Sequence, residues 1–213
     1  MAGVLNRLPR AAPMPPGRPE VAGPDHPMRA VTRQAAFEPG GWTPERAARV
    51  TELFDGLAAG WNERRDALRT EPLVDALDRG GPFGPVCLEP GSGTGLATEV
   101  LVRRFATVVC VDISWQMLTL APAGPGRRVR ADGAALPVRP GSADAVVLVN
   151  ALLFPAEVDA ALAPAGALVW VNSLGDATPI HLDAADVAEA MPGRWSGLAS
   201  EAGWGTWAVL RRD

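Results

Sequence analysis

The feature that most constrains this chain is Leu88-Glu89-Pro90-Gly91-Ser92-Gly93-Thr94-Gly95, an apolar run that ends in three glycines within five positions. Glycine at that density lets a backbone turn sharply and approach a ligand with no side chain in between, as between a strand and a helix that face a nucleotide. A helix starting near Gly95 would add its free N–H groups and the positive end of its dipole. The same loop could also serve only close strand-to-helix packing, so its surroundings decide. Twenty-one residues past Gly91, the apolar run Val108-Val109-Cys110-Val111 ends in Asp112. A carboxylate there can accept hydrogen bonds from both hydroxyls of an adenosine ribose. The pair would also suit a nicotinamide dinucleotide, but that fingerprint has glycine three places after Gly93, where this chain has Leu96.

From Pro85 onward, apolar runs of strand length alternate with helical or turn segments, the pattern of repeated βα units around a parallel sheet. Strands are expected at Val86 to Leu88, Thr107 to Val111, Arg127 to Arg130, Ala145 to Val149 and Ala167 to Val171. Helices are expected at Gly95 to Arg104, Trp115 to Ala121, Pro155 to Leu162 and Ala184 to Ala190. Two further extended runs, Gly197 to Ala202 and Thr206 to Leu210, meet through Gly203-Trp204-Gly205 and read as a terminal hairpin. Upstream, Thr43-Pro44-Glu45 is a helix start, with Thr as the cap and Pro where its missing N–H costs nothing. Ala47, Val50, Leu53, Phe54, Leu57 and Trp61 then mark one buried helical face, and a short helix around Pro72 to Leu77 ends at Gly80-Gly81.

Residues 1–25 hold six prolines among Ala, Gly and Arg, a composition that sustains neither helix nor core, and read as a disordered tail. Residues 26–82 read as a helical lid segment and 83–213 as the ligand-binding domain. No stretch approaches a membrane span and no signal-peptide pattern is present, so the chain is expected to be cytoplasmic.

Composition removes several chemistries. All twenty basic residues are Arg, which excludes a Schiff base and a P-loop lysine, and with no Tyr no phenol can act. A net charge of -4 offers phosphate backbones no general attraction, so no nucleic-acid partner is expected. The two cysteines, Cys87 and Cys110, lie in strand-like runs and read as buried free thiols. With only His26 and His181 besides, no metal site is expected.

Leu88 to Gly95 resembles motif I of the class I S-adenosylmethionine-dependent methyltransferases, and Asp112-Ile113-Ser114 with Met117-Leu118 looks like their second motif. Ala131-Asp132-Gly133-Ala134-Ala135-Leu136-Pro137 is similar to the third, whose aspartate bonds the adenine amino group while the backbone frames the ring. Ser142 to Val147 and Leu162 to Val169 resemble the approaches to strands four and five. Upstream, Leu53 to Asn62 is similar to a helix motif of the ubiquinone and menaquinone methyltransferase subgroup, where an aromatic packs near the cofactor; a stripe at this spacing also suits plain core.

The resemblance implies a Rossmann-like, doubly wound α/β fold. Its sheet would have seven mostly parallel strands with an antiparallel C-terminal hairpin, preceded by N-terminal helices. It implies S-adenosyl-L-methionine as cofactor, held by Glu89, Gly91, Ser92, Gly93, Thr94, Gly95, Asp112, Ile113, Met117, Asp132, Gly133 and Asn150.

Methyl transfer needs an in-line approach to a cationic sulfonium, so positioning and exclusion of water supply much of the catalysis. A base is needed only for a poorly ionised acceptor. His181 and Asp176, after the fifth strand, are candidates for that role, with Asn150 as a polar positioner. His181 equally suits a place just before a helix that starts at Asp183. Trp115 is a candidate for contact with adenine, while Trp195, Trp204 and Trp207 suit either a substrate wall or packing. A small-molecule acceptor is expected. Methylation of an adenine or an amide is opposed by Asn150-Ala151-Leu152-Leu153, which lacks the Asn-Pro-Pro-aromatic run typical of that chemistry. A non-catalytic cofactor binder on the same fold stays open.

Overall fold

The computed structural model describes residues 3–19 and 23–213. The glycine loop leaves β2 (Val86–Pro90), an inner strand of an eight-stranded sheet. On one side β2 pairs in parallel with β3 (Thr107–Asp112), which pairs with β4 (Arg127–Arg130). On its other side lies β5 (Ala143–Val149), followed by β6 (Leu162–Asn172), both parallel. The chain thus leaves β2 in both directions, and the carboxyl ends of β2 and β5 bound the crevice at which such sheets bind ligands. β8 (Gly205–Arg212) runs antiparallel between β6 and β7 (Trp195–Ala202), which makes the expected hairpin.

Alternation along each strand divides the core between the two faces. Leu88, Leu168 and Trp170 point to one face, covered by α6 (Pro155–Ala161) and α7 (Ala184–Ala190). Cys87, Val169 and Val171 point to the other, covered by α3 (Glu71–Arg79) and α4 (Thr98–Leu101). α1 (Met28–Phe37) and α2 (Pro44–Leu57) precede these, and α5 (Trp115–Leu120) follows β3. Thr43 caps α2 as its position implies, its side chain accepting from the Arg46 amide.

Three expectations are corrected. The stretch read as a disordered tail is an ordered arm where it is described. β1 (Leu5–Arg7) pairs in parallel with β7, and the sheet therefore has eight strands, one more than expected. A proline-rich composition weighs against a central strand, but at a sheet edge only one ladder is needed and prolines to either side break nothing. The helix expected from Gly95 to Arg104 has only four regular residues. Gly93 and Gly95 hold φ of +54° and +82°, which delays its start to Thr98. Tighter i→i+3 bonds from Arg103 to Val100 and from Arg104 to Leu101 then end it early.

Among the described residues no helix is long and apolar enough to cross a membrane, and no three metal-binding side chains cluster. Cys87 and Cys110 are free and buried, and burial pushes both thiols well up, Cys110 to about 12.

Candidate functional site

A cavity of about 690 Å³ lies over the carboxyl ends of β2, β3, β5 and β6. Its floor is the glycine loop, and α2 with the turn after it supplies an apolar wall that includes Val50, Leu53, Phe54 and Trp61. The volume falls within the roughly 300–1,000 Å³ of small-molecule sites.

The loop is held by its own backbone. The amides of Gly91 and Ser92 both donate to the Val111 carbonyl at the end of β3 (2.7 and 3.1 Å). Gly91 has φ +73°, and a Cβ there would stand 2.6 Å from that of Ala151, so the position requires glycine for conformation and for space. The Gly93 amide donates to Asp112 Oδ2 (2.7 Å) and the Ser114 amide to Oδ1 (2.8 Å). Each carboxylate oxygen keeps a further lone pair for a ligand. Burial raises the Asp112 carboxyl against the pull of these amides.

Glu89, only 2% exposed, accepts from the Thr98 hydroxyl at 2.6 Å. Burial lifts its carboxyl to about 8, because neither that bond nor the nearby Cys110 thiol replaces lost water. Ser92 Oγ is buried with no partner among the described residues. An orphaned hydroxyl and a buried acid with no counter-charge, both on the wall of one cavity, fit a polar, cationic ligand.

Further along the sheet edge, Asp132 accepts from the Ala134 amide (2.9 Å) and from the Trp42 indole N–H (2.8 Å). Trp42 meets Phe154 edge to face, ring centres 5.1 Å apart, and a Cβ on Gly133 would press on Phe154 at 3.0 Å. These groups make a slot for a flat ring with a carboxylate at its edge. Asn150 has φ +51°, the one described non-glycine residue with positive φ. Its amide nitrogen donates to Ser173 Oγ and its oxygen accepts from the Ser173 amide, both at 2.8 Å, which holds this conformation and ties β5 to β6. Above β3, Asp55 of α2 accepts from the Ser114 hydroxyl at 2.5 Å and so docks the helix over the loop.

Of the residues expected at the site, Glu89, Gly91, Ser92, Gly93, Thr94, Asp112, Ile113, Met117, Asp132, Gly133 and Asn150 line this cavity together. Gly95 lies behind the loop, on a smaller cavity of about 270 Å³. With the helix delayed to Thr98, the amides next to the cavity belong to the loop itself.

His181 and Asp176 are not on the wall. His181 Nδ1 lies 3.0 Å from the Arg29 guanidinium; burial foremost, and then Arg29, lower its pKa and hold the ring neutral. The Asp176 side chain is 81% exposed and pairs with Arg18 at 3.0 Å, while its carbonyl accepts from Arg29. Both residues anchor the N-terminal arm and α1, so the base role expected of them has no support in their position. Trp115 is 52% exposed and also off the wall, while Trp42 and Phe154 are aromatic side chains that do line it. The imidazole that does line the cavity is His26. It is the first residue of the segment read as a helical lid, and no motif marked it.

Residues 88–167 match the methyltransferase domain family. No curated protein sequence matches the chain. The solved complex of DhpI with SAH is similar over 78% of this chain and 96% of its own, with a TM-score of 0.62 at 21% identity. A SAM-dependent methyltransferase from Aquifex aeolicus is similar over 79% and 98%, with a TM-score of 0.56 at 14% identity. The [4+2]-cyclase SpnF is similar over 59% and 60%, with a TM-score of 0.50 at 20% identity. The chain spans 59%, 50% and 60% of the length of three of the chains that it matches. At these identities the likeness is one of fold.

Proposed function

We propose that this chain, whose residues 88–167 match the methyltransferase domain family and whose fold is Rossmann-like, is a class I methyltransferase that methylates a small-molecule acceptor with S-adenosylmethionine. One observation carries this reading: a single cavity joins the acidic ends of β2, β3 and the segment after β4 to an apolar wall built by the N-terminal helices. Bound there, the cofactor supplies an electrophilic methyl group on a positively charged sulfur.

The protein's own part is to bind, orient and exclude water. Glu89 and Asp112 present carboxyls to a cationic amino-acid moiety and a ribose, and the glycine loop gives its backbone to the same moiety. Asp132, Gly133, Trp42 and Phe154 frame the adenine. The apolar side chains of α2 close the cavity over the reacting centre, where a dry environment strengthens every electrostatic contact. A net charge of -4 and a cavity walled by helices suit a small acceptor, in a cytoplasmic enzyme, better than a nucleic acid. The N-terminal helices act as a lid.

Calorimetric titration with S-adenosylhomocysteine tests the reading. Binding is expected, and Asp112→Ala should weaken it at least tenfold, since hydrogen bonds to a charged group contribute roughly 1.5–3 kcal/mol each. Absence of binding, or an Asp112→Ala protein that binds equally well, would sink the assignment.

A further inference from the structure

The acids of the cavity stand on one side. Among the described residues its only carboxylates are Glu89 and Asp112, at the carboxyl ends of β2 and β3, and Asp132, just after β4. The opposite side is built by the segment after β6 together with the N-terminal arm. At the usual spacing of strands β6 stands about 10 Å from β2 and about 14 Å from β3, room for a second ligand beside the first. Apolar groups such as Met28, Leu174 and Ile180 form much of this side, and its polar groups have a common character.

Ser173 Oγ accepts from Asn150 (2.8 Å) and Thr178 Oγ1 accepts from the Leu174 amide (3.1 Å). Both hydroxyls are buried, each has its oxygen engaged, and neither hydrogen has an acceptor among the described residues. His26 Nδ1 accepts from the Met28 amide at 3.2 Å, which leaves the ring proton on Nε2, also without an acceptor among the described residues. The arm brings His26 to this loop: Gly23 packs so closely on Ala177 that a Cβ would stand 2.8 Å from its Cα, and Arg29 donates to the Asp176 carbonyl. The charged side chains on the remaining wall, Arg65 and Arg69, are both cationic.

We propose that His26, Ser173 and Thr178 form an oxyanion-binding site, and that the acceptor is an apolar molecule that presents a negatively charged oxygen, carboxylate or phenolate, to these three donors. The substrate class assigned here rests on the methyltransferase reading, whereas the donor site stands on its own geometry. Three donors that lack acceptors complement an anionic oxygen, and the wall has no carboxylate to receive an ammonium group. Cationic amines are therefore disfavoured against anions as acceptors on this side.

The test measures binding to the full-length protein, with and without saturating S-adenosylhomocysteine, of four probes with one ring system: 1-naphthoate, ionised 1-naphthol, 1-naphthalenemethanol and 1-naphthylmethylamine. Naphthoate or the naphtholate should bind at least tenfold more tightly than the amine, and whichever of the two binds better identifies the oxygen class. His26→Phe should remove roughly tenfold of that preference, while His26→Gln, which restores an N–H near the Nε2 position, should recover most of it. Both variants should bind S-adenosylhomocysteine within twofold of the parent, which also reports that they are folded. Ser173→Ala should lower affinity for the anion more than for the neutral alcohol. The proposal is overturned if the amine binds as well as the anions, if neither anion binds, or if His26→Phe retains the full preference. Should S-adenosylhomocysteine fail to bind while the anion preference holds, the cofactor assignment falls and the donor site survives.

Discussion

Glu89 offers the sharpest link between burial and ligand. Its carboxyl rises from 4.5 to about 8, chiefly through burial, and the residue is almost wholly enclosed. Below pH 4.5 the folded and unfolded chains both hold the proton, and this group leaves stability untouched. Between pH 4.5 and 8 the unfolded chain releases the proton while the folded chain keeps it, so stability falls by about 1.4 kcal/mol per pH unit. By pH 7 the accumulated loss is about 3 kcal/mol, and it stops growing above pH 8. Glu89→Gln keeps an oxygen for the Thr98 hydroxyl and cannot ionise. Its stability relative to the parent should therefore climb by about 3 kcal/mol between pH 4.5 and 7, read from urea denaturation at matched ionic strength. The same acid should respond to a cationic ligand. At pH 7 it is roughly nine-tenths protonated, so a bound α-ammonium that ionises it should release close to one proton. Titration calorimetry with S-adenosylhomocysteine in buffers of different ionisation enthalpy measures that release, and Glu89→Gln should abolish it. A flat stability difference across this pH range, or proton release that persists in the variant, would refute the account of Glu89 as a buried acid awaiting a counter-charge.

Two further substitutions separate the loop from the ring slot. Gly91→Ala places a Cβ 2.6 Å from that of Ala151 at φ +73° and should cost about 1–3 kcal/mol of stability with at least a tenfold loss of cofactor affinity; retained affinity in calorimetry would show that the loop does not hold the ligand. Trp42→Phe removes the bond to Asp132 while keeping a ring against Phe154. It should weaken S-adenosylhomocysteine about fivefold, the worth of one buried hydrogen bond near 1 kcal/mol, and an unchanged affinity would place the adenine elsewhere.

Much of the sheet is legible in the sequence because its strands are buried on both faces and read as apolar runs. Val86 and Thr107 both open strands where expected, and the exposed edge strand Arg127 to Arg130, which is no apolar run, is also found at its observed limits. The cofactor half is legible for a related reason: in a parallel sheet the carboxyl end of each strand faces the crevice, so a polar residue that ends an apolar run, as Asp112 and Asn150 do, is placed by the run itself. The other half has no such rule. Trp42 reaches Asp132 across 90 positions and His181 reaches Arg29 across 152. Local spacing cannot tell which way the loop after β6 faces. Upstream, the stripe expected to be one buried helical face is buried only at Val50, with Leu53 exposed, because Val50, Phe54 and Trp61 face a cavity rather than core.

The arm shows how a segment poor in core residues can still be decisive. Its ion pairs, Arg10 with Glu201 and Arg18 with Asp176, are partly exposed, and such pairs contribute about 0–1 kcal/mol each. They cannot alone hold a chain whose ordering costs about 1–2 kcal/mol per residue. The stronger attachments use the backbone. β1 adds its ladder to β7, Leu8 donates to Ala199, and the Pro15 carbonyl accepts from the indole of buried Trp204. Proline serves this purpose well, since it restricts the unfolded chain and keeps a carbonyl to accept with. The arm thus depends on the finished C-terminal hairpin, and the wall that holds His26 depends on the arm. The acceptor side of the cavity therefore draws support from β7 and β8 through the arm, whereas the glycine loop and Asp112 are bonded to each other across the ends of β2 and β3. Cofactor and acceptor sites accordingly belong to parts of the fold with separate supports, which is why substitutions at His26 should change the acceptor preference and leave cofactor affinity alone.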